Sequence, residues 1–114
     1  MADTALNATA VQDAIAEMVK RIVQRFDPDK IILFGSHARG TAGPDSDVDL
    51  LVVMEVNGSK RKKVVEIYHV LAGVGIPKDV MVITPEELDE YRDLVGTIIR
   101  PALREGKMLY ERSA

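Results

Sequence analysis

Apolar residues recur at Val11, Ile15, Met18, Val19, Ile22, Val23 and Phe26, the spacing of one face of an α-helix. Thr9 with Gln12 three residues on has the form of a capping box. A helix is therefore expected from Thr9 to Phe26, stopped by the turn Asp27-Pro28-Asp29, with Asp29 a turn former. Residues 1–8 are small and polar and read as a frayed, disordered lead-in, which leaves 9–114 as the domain. The pattern then changes to continuous apolar runs. Lys30 to Phe34 is the first, ending abruptly at Gly35-Ser36, where a short helix Ser36–Arg39 is expected. Gly40 and Gly43-Pro44 give the backbone freedom to bring a second run, Leu50 to Met54, back beside the first, with Asp45 and Ser46 capping the turn.

Helical spacing returns at Val64, Ile67, Tyr68, Leu71 and Val74, read as a core stripe between a cap at Ser59 and the glycines Gly73 and Gly75. Lys78 to Thr84 is a third strand. Thr84-Pro85-Glu86-Glu87 carries a cap, an early Pro and a Glu, the signature of a helix start. Leu94 to Arg104 reads as a last helix kinked at Pro101, and Gly106 precedes a final short strand, Lys107 to Glu111. The order α-β-(short α)-β-α-β-α-α-β predicts one α/β domain, a mixed sheet of about four strands with helices packed against it.

Composition narrows the classes. With 114 residues and 46% hydrophobic content the chain can bury a modest core. A net charge of −3 is a poor basis for sequence-independent nucleic-acid binding, and no direct nucleic-acid partner is expected. The few aromatics (Phe26, Phe34, Tyr68, Tyr91, Tyr110) fall mostly on apolar periodicities, so a stacking platform is not expected either. The absence of cysteine excludes disulfides and thiol catalysis and fits a reducing cytoplasm. No signal-peptide pattern opens the chain, and no run approaches the roughly 18 apolar residues of a membrane span, so a cytoplasmic protein is expected.

The chemistry clusters at residues 30–54. Asp47 and Asp49 are two apart at the start of the second strand, and alternation places both carboxylates on one side of the sheet. Such a pair repels itself unless a cation lies between, and hard cations such as Mg²⁺ take one or two carboxylates plus phosphate oxygens. Gly35 permits close backbone approach, and the N–H groups there with the Ser36 hydroxyl can receive phosphate. These residues together suggest a metal–nucleotide site.

Gly35-Ser36, ten residues, then Asp47-x-Asp49 resembles the signature of the DNA polymerase β-like nucleotidyltransferase superfamily. The fuller string, with Ala38-Arg39-Gly40 and Ser46-Asp47-Val48-Asp49-Leu50-Leu51-Val52, resembles the minimal nucleotidyltransferases of prokaryotes, over about Asp27 to Tyr110. The resemblance implies transfer of AMP from ATP, with Mg²⁺ ions (two, on the superfamily's pattern) held by Asp47, Asp49 and a third carboxylate on a neighbouring strand. Asp79, at the start of the third strand, is the residue placed for that role. Gly35, Ser36 and Arg39 would bind the nucleotide. It further implies a partner, a helical HEPN toxin ribonuclease inactivated by AMP on a tyrosine, which would make this chain an antitoxin. The chain ends soon after its last strand, so the acceptor site is expected to be shallow or to be supplied by another chain.

Competing readings stand beside these. Arg39 could pair with Asp45 or Asp47 instead of phosphate. His37 reads first as a hydrogen-bonding residue, with metal or base duty the alternative. Lys60 to Lys63 sit at the cation-disfavouring end of a helix and read as a solvated face, or as a lure for anions. At the level of function, a masking module without catalysis and an enzyme acting on a small molecule or an RNA end remain the alternatives.

Overall fold

A computed structural model describes residues 2–43, 45–92, 94, 96 and 99–113. Nine elements follow one another: α1 (Ala2–Phe26), β1 (Lys30–Phe34), α2 (Gly35–Arg39), β2 (Val48–Val53), α3 (Lys60–Val70), β3 (Lys78–Ile83), α4 (Pro85–Tyr91), α5 (Ile99–Glu105) and β4 (Lys107–Glu111). The strands form one sheet in the order β3-β2-β1-β4. β1 runs antiparallel to β2 and to β4, whereas β2 and β3 are parallel, so the sheet is mixed as the sequence predicts.

Continuous apolar runs suit strands covered on both faces. Val48, Leu50 and Val52 of β2 join Ile31 and Leu33 of β1 in one core with Ile15, Met18 and Ile22 of α1 and Ile67 of α3. The alternate residues Leu51, Val53, Ile32 and Phe34 form a second core with Leu88 of α4 and Ile99 and Ala102 of α5. Strand alternation therefore settles which helices look down on which residues. Asp49 shares its face with Leu51 and Val53, the face that α4 and α5 cover.

Two expectations shift. α1 begins at Ala2 and contains Thr9–Gln12 in its interior, so the helix starts ahead of that expected cap; neither Gly nor Pro interrupts the chain between Ala2 and Pro28. At the other end, α5 starts at Ile99 rather than Leu94. Gly96, at φ +95°, holds a conformation no helix continues through, and Pro101 falls in the first turn, where its missing N–H costs nothing. Residues 93, 95, 97 and 98 of that expected helix lie outside the described residues.

The starts of α3 and α4 behave as read. Ser59 Oγ accepts from the Lys62 N–H at 3.2 Å, and Thr84 and Glu87 form a reciprocal capping box. Long-range ties close the structure. Arg21 of α1 donates to the carbonyls of Val70 and Ala72, satisfying the end of α3. Arg112 donates to Asp29 at 2.6 Å and to the Asp27 carbonyl, pinning the α1–β1 turn in which Asp27 holds φ +47°. Asp29 is thus a turn residue, as expected, with an ion pair that the sequence did not disclose.

Candidate active site

The site forms where β1 ends and β2 and β3 begin. Val48, the first residue of β2, opposes Lys78, and Asp49 opposes Asp79 in the parallel register. Opposed residues of adjacent strands share a face, so the two carboxylates stand side by side. Asp47 lies one residue before β2, in the connection rather than in the strand, and is exposed. Asp79 is exposed as well, while Asp49 is half-covered.

Phe34 opposes Asp49 on the other flank, which brings the β1–α2 junction against the same carboxylate. Gly35 takes φ +73° there, the left-handed region that glycine enters without strain. A Cβ at this position would collide with the Asp49 carboxylate. The turn and the carboxylate are therefore packed as one unit, a closer relation than phosphate access alone requires. Ser36 follows in the first turn of α2, with its carbonyl accepting from the Gly40 and Thr41 N–H groups.

Like charge and burial act together on Asp49. Burial raises its carboxyl above the usual carboxylate range; Asp79 and then Asp47 push it further, and His37 and Arg39 oppose them. A cation would relieve that repulsion. The donor set is carboxylate oxygen throughout, suited to Mg²⁺. Among the described residues no three His, Cys, Asp or Glu side chains already converge on one point. Carboxylates that leave room for phosphate oxygens fit a cation shared with the substrate rather than caged by protein.

A pocket of about 280 Å³ opens at this point, lined by Phe34, Gly35, Arg39, Asp49, Asp79, Ala102 and Glu105. Of the residues singled out from sequence, Gly35, Arg39, Asp49 and Asp79 meet there. Arg39 has a different partner from those expected: its guanidinium lies 3.9 Å from Glu105 of α5, not against Asp45 or Asp47. Both side chains are about half exposed, so the pair is loose and a triphosphate could take its place. Glu105 carries no signal in the sequence: it sits at the end of a helix far along the chain, with no motif around it.

Other readings resolve locally. His37 Nε2 lies 3.1 Å from the Ser46 carbonyl, a contact in which the ring must donate, so the imidazole braces the connection ahead of Asp47. Ser46 rather than Asp45 closes the turn, its Oγ accepting from the Gly43 N–H at 2.9 Å. In the basic run, Lys60 pairs with Glu87 at 2.6 Å, and Lys63 pairs with Glu66 and lies over the Phe26 ring. These two lysines join helices to their neighbours. Tyr68, read as core, is instead 36% exposed and turns its hydroxyl to β3, where it meets Val80 and Asp79. Burial raises its hydroxyl above the ordinary tyrosine range; the Val80 N–H opposes this, and Asp79 and Asp47 add to it.

Comparison with known proteins agrees with this arrangement. Residues 15–101, most of the chain, match the family model described as a nucleotidyltransferase domain. A protein of Methanocaldococcus jannaschii named "putative protein adenylyltransferase" is 46% identical over 54 residues. That match covers 46% of this chain and 36% of the relative, so the chain spans about a third of that protein's length. The crystal structure of a "putative nucleotidyltransferase" from Sulfolobus solfataricus superposes with a TM-score of 0.61, covering 90% of this chain and 87% of that one. At 20% identity this likeness is one of fold.

Proposed function

The chain belongs to the nucleotidyltransferase domain family, and on that premise we propose that it transfers AMP from ATP, with Mg²⁺, to a hydroxyl of a partner protein. The observation that carries the reading is the packing of Gly35 against Asp49 with Asp79 in register beside it. One turn and two carboxylates thereby offer a triphosphate and its counter-cation adjoining places. The relative named as a protein adenylyltransferase supports a protein as acceptor.

Asp47, Asp49 and Asp79 would hold the Mg²⁺, which when bound screens the charge that grows on the α-phosphoryl group and on the leaving oxygen. The chain's own part is largely positioning and electrostatics. Gly35 and Ser36 orient the β- and γ-phosphates, and Arg39, released from Glu105, adds a planar donor fork. The acceptor oxygen attacks the α-phosphorus as the bond to the β-phosphate bridging oxygen breaks. Pyrophosphate leaves, and the hydroxyl proton passes to the Asp79 carboxylate and on to solvent. Asp47 and Asp79 are exposed at the rim, so an acceptor as large as a protein surface has access.

On this reading the partner is a helical HEPN ribonuclease, modified on a tyrosine, and the chain is its antitoxin in the cytoplasm, where ATP is at hand. The string from Gly35-Ser36 to Val52 supports that assignment through its resemblance to the minimal nucleotidyltransferases. A phosphate ester added near an RNA groove would repel RNA. The test is the intact mass of the neighbour-encoded protein after co-expression. A gain of one or more AMP units with wild type, absent with Asp47→Asn, is expected. Protection of the partner by Asp47→Asn without any mass change would establish masking in place of catalysis.

A further inference from the structure

Tyr68 is placed in α3, whose core neighbours Ile67 and Leu71 lie on the sheet face opposite to Asp49 and α5. Tyr68 is 36% exposed while both of those residues are fully buried. The hydroxyl is the part with specific partners. β3 is an edge strand, and the outward N–H groups of an edge have no neighbouring strand to receive them. The Val80 N–H donates instead to Tyr68 Oη at 2.8 Å. A backbone N–H can only donate, so this bond uses a lone pair of the phenol and leaves its proton free for an acceptor. The acceptor it faces is Asp79 Oδ1, 3.5 Å away.

The direction of both bonds is therefore fixed. Asp79 needs such a tie. It is exposed, lies on an edge strand and opposes the like charge of Asp49, so an untethered carboxylate would swing out to solvent. At 3.5 Å the contact is at the outer limit of a hydrogen bond, and catalytic contacts of this length tighten when ligands arrive. Val80 follows Asp79 directly, so one hydroxyl holds both the backbone and the side chain of the same short stretch.

We propose that Tyr68 is a positioning residue for nucleotidyl transfer, fixing the Asp79 carboxylate beside Asp49 so that the two receive the metal ion together. The proposal rests on the nucleotidyl-transfer reading of the site. It assigns Tyr68 no contact with nucleotide or acceptor. Loss of a group that orients a metal ligand lowers metal affinity or rate by about 10- to 100-fold.

The experiment measures Mn²⁺ binding by electron paramagnetic resonance in the presence of a non-hydrolysable ATP analogue, for wild type, Tyr68→Phe, Asp79→Asn and the double variant. The ring remains in Tyr68→Phe at a partly open position, and a thermal melt checks its fold. Tyr68→Phe should weaken Mn²⁺ binding about tenfold, and lower kcat with little change in KM for ATP, because Gly35, Ser36 and Arg39 still hold the triphosphate. In the Asp79→Asn background the same substitution should change nothing further, the mark of a residue that acts through Asp79. Equal Mn²⁺ affinity in wild type and Tyr68→Phe, with Asp79→Asn weakened, would overturn the role of Tyr68 and leave the site reading intact. No Mn²⁺ binding in wild type, or none of it dependent on Asp79, would overturn both. An AMP unit found on this chain itself and lost in Tyr68→Phe would make Tyr68 an acceptor, also against the proposal.

Discussion

At Gly35 a backbone angle and a side-chain contact make the same demand. The residue sits at φ +73°, and the space where a Cβ would go belongs to the Asp49 carboxylate. Gly35→Val should therefore lose activity and also about 1–3 kcal/mol of stability from the forced backbone angle, before the collision is counted. Ser36→Ala removes one hydroxyl and should fold normally, with nucleotide affinity reduced by about tenfold or less. Unchanged stability and nucleotide affinity in Gly35→Val would show that the turn and Asp49 are not one unit. Asp49 supplies a second prediction. Its folded carboxyl is raised by burial, by Asp79 and by Asp47, in that order. Between the unfolded and folded pKa values the unfolded chain has given up a proton that the folded chain retains. Metal-free stability therefore falls as pH rises through that window and stays lower above it. Asp49→Asn removes this penalty. In EDTA it should melt above wild type at neutral pH, the difference closing below about pH 3.9, and it should be inactive at every pH. A lower melting temperature for Asp49→Asn in EDTA would contradict the repulsion argument.

Elements were legible from sequence where local chemistry decides them, and illegible where assembly does. The capping box at Thr84–Glu87 stands as read, because its bonds lie within four residues. Thr84→Ala should cost about 1 kcal/mol, seen as a lowered melting temperature. Glu87 does more than cap: the Lys60 ammonium, ahead of the Thr84 backbone, holds it below its usual range, and that ion pair joins α3 to α4. No local rule announces such a pair. The same holds for Tyr68, whose spacing matches the core stripe but whose hydroxyl reaches an edge strand eleven and twelve positions on. Gly106 is a third case. It reads as a helix stop, yet a Cβ there would press on the Ala102 carbonyl and come within 2.7 Å of Ile32 Cγ2, so it also lets α5 approach β1. Gly106→Ala should destabilise the fold by about 1–3 kcal/mol through overpacking. It should also weaken nucleotide binding, since α5 carries Ala102 and Glu105 into the pocket wall.

For the whole molecule, the mixed sheet with a core on each face brings the two ends of the motif together. β2 is central, with β1 on one side and β3 on the other, so its first residues meet both the Gly35 turn and Asp79. The Asp47–Asp49 pair was visible as spacing, although Asp47 falls just ahead of β2, where strand alternation does not reach it, and Asp79 was visible as a carboxylate at the head of a strand whose role the family resemblance supplied. The Arg39–Glu105 contact was not visible, since it depends on where α5 docks. The clamp of Arg112 on Asp27 and Asp29 spans 85 and 83 positions and was equally beyond local reading. No described helix is long and apolar enough to cross a membrane. The central claim is that the site moves a nucleotidyl group with the help of its carboxylates, and position-labelled ATP tests it most directly. The protein is incubated with Mg²⁺ and either α- or γ-labelled ATP, together with lysate of its own host, and labelled acceptors are resolved by mass. The account predicts label from the α-phosphate only, pyrophosphate release, and loss of both in EDTA or in Asp49→Asn. Label from the γ-phosphate, or α-label undiminished in Asp49→Asn, would contradict it.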